Sequence, residues 1–193
     1  MSFQNRATRV LVAAAVVLCI TPSLYAQDQF EYRVLSTART STMQTEMQEL
    51  ASVGFRFGGV MGGETALGGA EVVLVMIRGG NYPGGYRYRL LATSKTSTLQ
   101  KELQDAGDAG YEYRGQTQFK SAFGGKEVVV ILERAREAGP RFEYRLLATS
   151  KTSTMQKELT DAGQRGFEFV GVTVGKTALG GDEVVSILRR RVQ

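Results

Sequence analysis

The feature that most constrains this chain is a segment that occurs three times at a fixed spacing. The letters YRLLATSKTST stand at residues 88–98 and again at residues 144–154, and a related stretch, YRVLSTARTST, occupies residues 32–42. Each copy is displaced from the next by 56 residues, and no insertion or deletion interrupts this register through the rest of each copy. Self-similarity of this kind predicts tandem copies of one structural unit.

The repeat predicts three units that are joined by two linkers. We assign the units to residues 30–78, 86–134 and 142–191, with a glycine-rich linker at 79–85 and a second linker at 135–141. A unit of about 50 residues is close to the lower limit for a domain that folds alone. We therefore expect the units to pack against one another or against another chain.

The pattern within a unit predicts the order strand, helix, strand, strand. In unit three, FEYRLLA from Phe142 alternates in polarity like a half-buried strand, and Met155, Leu159 and Ala162 then recur at helical spacing. The final strand is apolar at nearly every position, which is typical of a central strand. We predict that strands one and two are parallel and that the third lies between them, antiparallel to the second. The fold class is then α+β, with three tandem βαββ units, each a three-stranded mixed sheet covered by one helix.

The hydroxyl-rich turn before each helix predicts a capping box. Ser153 is followed three residues later by Gln156, and the same pair recurs in units one and two. In such a box the serine hydroxyl accepts a backbone N–H at the helix start, and the glutamine reaches back. At the other end of the helix, Gly166 stands at the position where the backbone often becomes left-handed, a conformation that favours glycine.

One helix covers only one face of a sheet, so the other face needs a different partner. We assign six apolar residues to this uncovered face: Val72, Leu74 and Met76 in unit one, and Val128, Val130 and Leu132 in unit two. In unit three, Ser186 replaces the corresponding apolar residue. We therefore predict that units one and two pair sheet to sheet, or that chains associate through this face, with unit three attached more loosely.

Three short motifs in each unit carry a family resemblance. In unit three they are EYRLL from Glu143, DAGQRGFEFVGV from Asp161 and EVVSILRR from Glu183. The units resemble the bacterial domain of unknown function family 4177, over nearly all of the chain that follows residue 29. The aromatic residue after the helix is Phe or Tyr here, as at Phe167, where that family often has Trp. The resemblance implies the fold, and it supplies no catalytic residues.

Residues 1–26 have the order of a secretory signal peptide. Arg6 and Arg9 precede a short apolar run, Val10–Ile20, and Ala26 provides a small residue at the cleavage site. The apolar run is shorter than the roughly 20 residues of a membrane-spanning helix. We expect cleavage and export, to the periplasm or the medium, with no integral membrane segment afterwards; the alternative is a retained membrane anchor.

Composition excludes several classes of site. The chain has no histidine, and its single cysteine, Cys19, lies in the predicted signal peptide. We therefore expect no His/Cys metal site, no histidine-based triad and no cofactor. Cleavage would also remove Arg6 and Arg9, so the net charge would fall from +5 to +3. Because nucleic-acid binders carry a concentrated basic face, we expect no nucleic-acid partner.

One edge of each unit is a candidate ligand site. If strands one and two are parallel, their carboxyl ends meet where the helix begins, a place that favours anions. In unit three this edge gathers five residues: Thr149, Lys151, Thr152, Ser153 and Lys176. The alternative is that the hydroxyls only cap the helix and that Lys151 pairs with Glu183.

These observations predict an exported, non-catalytic repeat protein that acts by protein binding or self-assembly. We expect no enzymatic activity, because Ser, Lys and carboxylates are the only reactive side chains and they form no recognisable catalytic constellation. The alternative function is binding of a small ligand or anion at the helix-start edge of each unit.

Overall fold

The computed structural model describes residues 29–65, 69–80, 84–120, 126–137, 139–177 and 181–192. The predicted signal peptide, residues 81–83 of the first linker and residue 138 of the second linker lie outside the described residues. Within the described ranges, no helix has the length and apolar character needed to cross a membrane.

Each unit contributes one helix and three strands in the predicted order. The elements are β1 (Phe30–Thr37), α1 (Thr40–Ser52), β2 (Arg56–Thr65), β3 (Gly69–Gly79), β4 (Arg87–Thr93), α2 (Thr96–Asp108), β5 (Glu112–Lys120), β6 (Lys126–Arg134), β7 (Arg141–Thr149), α3 (Thr152–Gln164), β8 (Glu168–Lys176) and β9 (Asp182–Val192).

The three sheets have one topology. Their strand orders are β1-β3-β2, β4-β6-β5 and β7-β9-β8, so the third strand of each unit lies in the centre. The predicted α+β class, the three βαββ units and the central third strand are confirmed. The sheets are not mixed, however, because every pair of hydrogen-bonded neighbours is antiparallel. The two outer strands run in the same direction but never touch.

Each helix covers the face of its own sheet that the sequence assigned to the open side. Val72, Leu74 and Met76 are buried in one core with Met43 and Met47 of α1. Val128, Val130 and Leu132 are likewise buried with Leu99 and Leu103 of α2. The prediction that these six residues form the uncovered face is therefore wrong. The alternate residues of β3, such as Val73 and Val75, are equally apolar. The alternation along the strand therefore does not show which face of the sheet the helix covers.

The units stack in chain order, and α1 and α2 each lie between two sheets. The core around Met43 and Met47 also contains Tyr88, Val129 and Ile131 of unit two. The next core repeats the arrangement, with α2 of unit two against three residues of unit three: Phe142, Tyr144 and Ile187. Pairing of units one and two through two uncovered faces is therefore wrong. Their sheets do meet, through β2 and β5, but unit one contributes the face that also carries α1. Unit three packs on α2 as unit two packs on α1.

The turn before each helix is held by a threonine and not by a capping box. The helices begin at Thr40, Thr96 and Thr152, and their N-cap residues make no side-chain cap. The predicted serine cap is wrong because Ser153 lies inside the first turn. Instead, the Thr149 hydroxyl accepts the Lys151 N–H at 3.1 Å, and Thr37 and Thr93 make the same bond. Such a local turn fixes the direction in which the chain enters the helix.

Each helix is followed by a glycine, and an arginine binds its C-terminal end. Gly54, Gly110 and Gly166 have φ values of 93°, 80° and 80°, which confirms the left-handed C-terminal position. The last carbonyl is then bound by an arginine from the third strand, which also lies over the aromatic residue after the helix. The three sets are Arg78 with Val53 and Phe55, Arg134 with Ala109 and Tyr111, and Arg190 with Arg165 and Phe167. A cation at this helix end also complements the helix dipole.

Candidate functional site

The first junction between units is made by two glutamines of α1. The Oε1 atom of Gln44 accepts the Leu90 N–H at 2.8 Å. One turn later, Gln48 accepts the Tyr88 N–H at 3.1 Å and donates to the Tyr86 carbonyl at 3.3 Å. These are backbone groups on the outer edge of β4, which would otherwise be open to another strand. The helix thus occupies the strand edge of the next unit.

The second junction repeats this pattern. Gln100 of α2 accepts the Leu146 N–H at 2.7 Å and donates to the Tyr144 carbonyl at 2.9 Å. Gln104 accepts the Tyr144 N–H at 2.9 Å and donates to the Phe142 carbonyl at 3.4 Å. The glutamines that the sequence assigned to capping boxes therefore bind the following unit instead.

A buried tyrosine crosses each junction. The Tyr88 hydroxyl accepts the Phe57 N–H of unit one at 2.8 Å and donates to Glu133 at 2.7 Å. The Tyr144 hydroxyl accepts the Tyr113 N–H at 2.6 Å and donates to the Tyr111 carbonyl at 3.0 Å. A β-bulge follows Phe57 and Tyr113 and interrupts the pairing of their strands there. The two N–H groups therefore turn to the tyrosines.

Burial raises the pKa of these tyrosines. The pKa of Tyr144 lies well above its usual value because the hydroxyl is removed from water, and that of Tyr88 is raised further by the charge of Glu133. Burial also raises the pKa of Tyr113 to about 12. All three hydroxyls are therefore neutral at physiological pH, and those of Tyr88 and Tyr144 act as donors.

Each junction contains an ion pair at the same two positions, but the acidic and the basic residue are exchanged. In the first, Arg56 of β2 binds Glu133 of β6 at 3.0 Å. In the second, the equivalent positions are Glu112 of β5 and Arg189 of β9, which are 2.6 Å apart. In both cases the guanidinium lies over the aromatic residue at the start of the next unit, at 4.6 Å from the Tyr86 ring centre for Arg56 and 5.5 Å from that of Phe142 for Arg189. The geometry is kept although the sign at each position is reversed.

Glu133 is the more buried member of the Arg56–Glu133 pair. It is 4% exposed, and Arg114 from the neighbouring strand lies 3.2 Å from it on the other side. Burial raises the pKa of this carboxyl, while the hydrogen bond from Tyr88 and the charge of Arg56 lower it. Its ionised form therefore depends on the arginines around it.

Glycines permit the close approach of the units. A Cβ atom on Gly115 would lie 3.1 Å from the Phe57 ring of unit one, and one on Gly171 would overlap the Tyr113 hydroxyl. On the helix side, a Cβ atom on Gly107 would overlap the Phe142 carbonyl. Glycine at these positions is therefore explained by the junction.

At the two ends of the stack, the same elements have no neighbouring unit among the described residues. At one end lies what we call the head surface: Phe30, Tyr32, Val34, Gly59 and Met61. At the other lies the tail surface: Gln156, Gly163, Phe169, Val172 and Val174. Tyr32 is 57% exposed, whereas the equivalent Tyr88 and Tyr144 are 4% and 3% exposed. The position in the stack, not the residue type, decides this burial.

The predicted ligand residues lie at two turns. Thr149, Lys151, Thr152 and Ser153 follow one another at the start of α3. Lys176 ends β8, across the central strand β9 from Thr149, which corresponds to roughly 10 Å between strand backbones. Its N–H binds the carbonyl of Ser94 in unit two, and its ammonium pairs with Asp182 at 2.6 Å.

A shallow cleft lies beside Lys176. It has a volume of about 530 Å³ and is lined in part by Lys95, Thr96 and Glu183. The Thr96 hydroxyl already donates to Glu183 at 2.5 Å, so a carboxylate stands at the start of α2. Among the described residues, no group of three or more acidic, cysteine or histidine side chains could hold a metal ion. Anion binding at a helix start stays a prediction.

Sequence reasoning missed the junction residues for an identifiable reason. A glutamine three residues after a serine fits a capping box, and a second glutamine one turn later has no role in that motif. The pairs Gln44–Gln48 and Gln100–Gln104 recur in units one and two, whereas unit three has Thr160 at the second position. A feature that is missing only from the last repeat is the signal for a contact with the following one.

Comparison with known proteins gives no match to the chain among family models, curated proteins or solved structures. The resemblance to the bacterial domain of unknown function family 4177 stays a prediction.

Proposed function

We propose that this chain is an exported, non-catalytic repeat protein that acts by binding another protein through its head surface. The observation that carries the proposal is the exposure of Phe30, Tyr32 and Val34 on β1. In units two and three, the equivalent residues lie against the helix of the preceding unit. The head surface therefore repeats a surface that binds a helix in units two and three, and no helix among the described residues covers it.

The chemistry of this surface suits a protein partner. Contiguous exposed apolar patches are uncommon on monomeric proteins and often mark interaction sites. Full burial of one such side chain contributes about 1.5–3 kcal/mol. β1 is also an edge strand, and the same edge of β4 and β7 binds side-chain amides. A partner that offers both apolar side chains and hydrogen-bonding groups would match it.

Site-specific photo-crosslinking in exporting cells tests the proposal. A benzophenone amino acid at Tyr32 should give a covalent adduct with a protein, because the side chain lies in the middle of the head surface. The same group at Val53 is the matched control, since Val53 is 56% exposed but lies on neither end surface. Failure to form an adduct at Tyr32, or equal adducts at both positions, would contradict the proposal.

A further inference from the structure

We infer that the partner of the head surface is the tail surface of a second copy of this chain, so that copies associate head to tail. This inference rests on the proposed function and names its partner. In the two junctions within the chain, the residues equivalent to the tail surface of one unit already bind the residues equivalent to the head surface of the next. Among the described residues no unit packs on α3, so a second copy can supply a third junction of the same kind.

The hydrogen-bonding groups of the junction are present at both ends. Gln156 of α3 occupies the position of Gln44 and Gln100, and it is exposed. In the two internal junctions this glutamine accepts the N–H of Leu90 or Leu146, whose equivalent at the head is Val34. Tyr32 keeps the hydroxyl that accepts a bulge N–H, and Phe169 stands at the equivalent bulge of unit three.

Two glycines support the inference independently. Gly107, Gly115 and Gly171 each lie in close contact with a neighbouring unit, whereas a Cβ atom on Gly59 or Gly163 would meet no described residue within 4 Å. Gly59 is the head-side equivalent of Gly115 and Gly171, and Gly163 is the tail-side equivalent of Gly107. Glycine within a helix or a strand costs about 0.5–1 kcal/mol relative to alanine. Docking of a second copy would give both glycines the role that their equivalents have.

The apolar residues of the two surfaces also match. Val172 and Val174 are exposed on the tail, and they stand where Gln116 and Gln118 of unit two bind the backbone of unit three. On the head, Met61 is exposed where Thr173 is buried in the second junction. The contact between copies is thus more apolar than the second internal junction.

The charges permit this contact and make it weaker than the internal ones. At the place of the Arg56–Glu133 pair, the contact between copies brings Glu168 opposite Ile77. Ile77 is uncharged, so no like charge opposes Glu168 there, and Glu168 binds Arg189 of its own unit at 3.1 Å. An interchain ion pair is missing, however, and Thr160 replaces the second glutamine. We therefore expect association that depends on protein concentration.

Contact between two different surfaces has a definite consequence for assembly. A head-to-tail interface leaves a free head at one end and a free tail at the other, so growth continues until a ring closes or a filament forms. A head-to-head interface would instead stop at a symmetric dimer. The two possibilities respond differently to blocking one surface.

Sedimentation velocity of blocked variants tests the inference. Val34→Glu blocks the head, Val172→Glu blocks the tail, and Val53→Glu is the control; all three side chains are exposed, so folding should be unchanged by circular dichroism. The wild-type chain and Val53→Glu should form oligomers that grow with concentration. Each blocked variant alone should be monomeric. An equimolar mixture of the two should give one-to-one dimers and nothing larger, because one intact head and one intact tail remain.

Several outcomes would overturn the inference. These are a wild-type chain that stays monomeric at every concentration, a Val172→Glu variant that still dimerises, or a mixture that does not associate. If either substitution disturbs folding, Tyr32→Glu and Phe169→Glu make the same comparison. The Tyr32 photo-crosslink separates the two proposals. An adduct with a different polypeptide would refute self-association and leave protein binding intact, whereas the absence of any adduct would refute both.

Discussion

The buried ion pair of the first junction gives the sharpest test of how the units are held together. Arg56→Glu places a second carboxylate against Glu133, which is 4% exposed. Breaking a buried pair typically costs about 3–5 kcal/mol. Glu133 can instead bind a proton, which burial favours because it raises the pKa of this carboxyl. Because Arg114 remains 3.2 Å away, we expect a loss of about 2–3.5 kcal/mol in the free energy of unfolding.

The second junction provides the design that should restore stability. There the acid is on the preceding unit and the arginine on the following one, and Val170 stands at the position of Arg114. The triple variant Arg56→Glu, Glu133→Arg, Arg114→Val reproduces this arrangement in the first junction. The new arginine can lie over Tyr86, as Arg189 lies over Phe142. We expect it to recover at least about 1.5 kcal/mol of the loss, within the usual range of coupling energies.

Urea unfolding followed by circular dichroism measures both changes, at a concentration where the chain is monomeric. Arg33→Glu is the matched control, because Arg33 pairs with Glu31 at the surface and should change stability by no more than about 1 kcal/mol. The reasoning is refuted if Arg56→Glu unfolds like the control, or if the triple variant is no more stable than Arg56→Glu alone.

Four further predictions follow from the same structure. Tyr144→Phe leaves a buried N–H without its acceptor and should lower stability by about 1–3 kcal/mol in urea, while Tyr32→Phe should not change the monomer. Ser186 is fully buried, and among the described residues its hydroxyl has no partner, so Ser186→Val should raise the melting temperature and Ser186→Asp should lower it severely. Because burial raises the pKa of Tyr113 from its ordinary 10.0 to about 12, stability should fall as the pH rises from about 10 to 12, and Tyr113→Phe should flatten this dependence in alkaline melts. Ser153→Ala should change stability in urea by less than about 0.5 kcal/mol, because this exposed hydroxyl is not a cap.

The sequence predicted what depends on local pattern. The repeat located the three units, and the alternation in β7 and the helical spacing after Thr152 located the elements. The uniform apolar character of β3, β6 and β9 correctly placed them in the centre of each sheet. The helices and strands depend on residues that are close in the chain. The central position of a strand depends on the burial of both its faces, which its apolar composition shows.

The face assignment and the junctions depend on contacts that local pattern does not encode. β3 is apolar on both faces. One face is covered by α1, and the other is the face that units two and three pack against the preceding unit. Leu74 and Val75 are therefore equally apolar, and the sequence does not show which of them faces the helix. Gln44 has two plausible partners, its own helix start and Leu90, which lies 46 residues away. Only the position of the next unit decides between them.

The exchanged charges of the two junctions have a consequence for the gene. Repeats of similar sequence can recombine, and an exchange of units two and three would keep the order of helices and strands within each unit. It would nevertheless place Arg56 against Arg189 and Glu168 against Glu133, so both junctions would bring like charges together. Buried charges without opposite partners are strongly destabilising. Among the orders in which the three segments could be joined, the order found here is therefore the one that brings opposite charges together at both junctions.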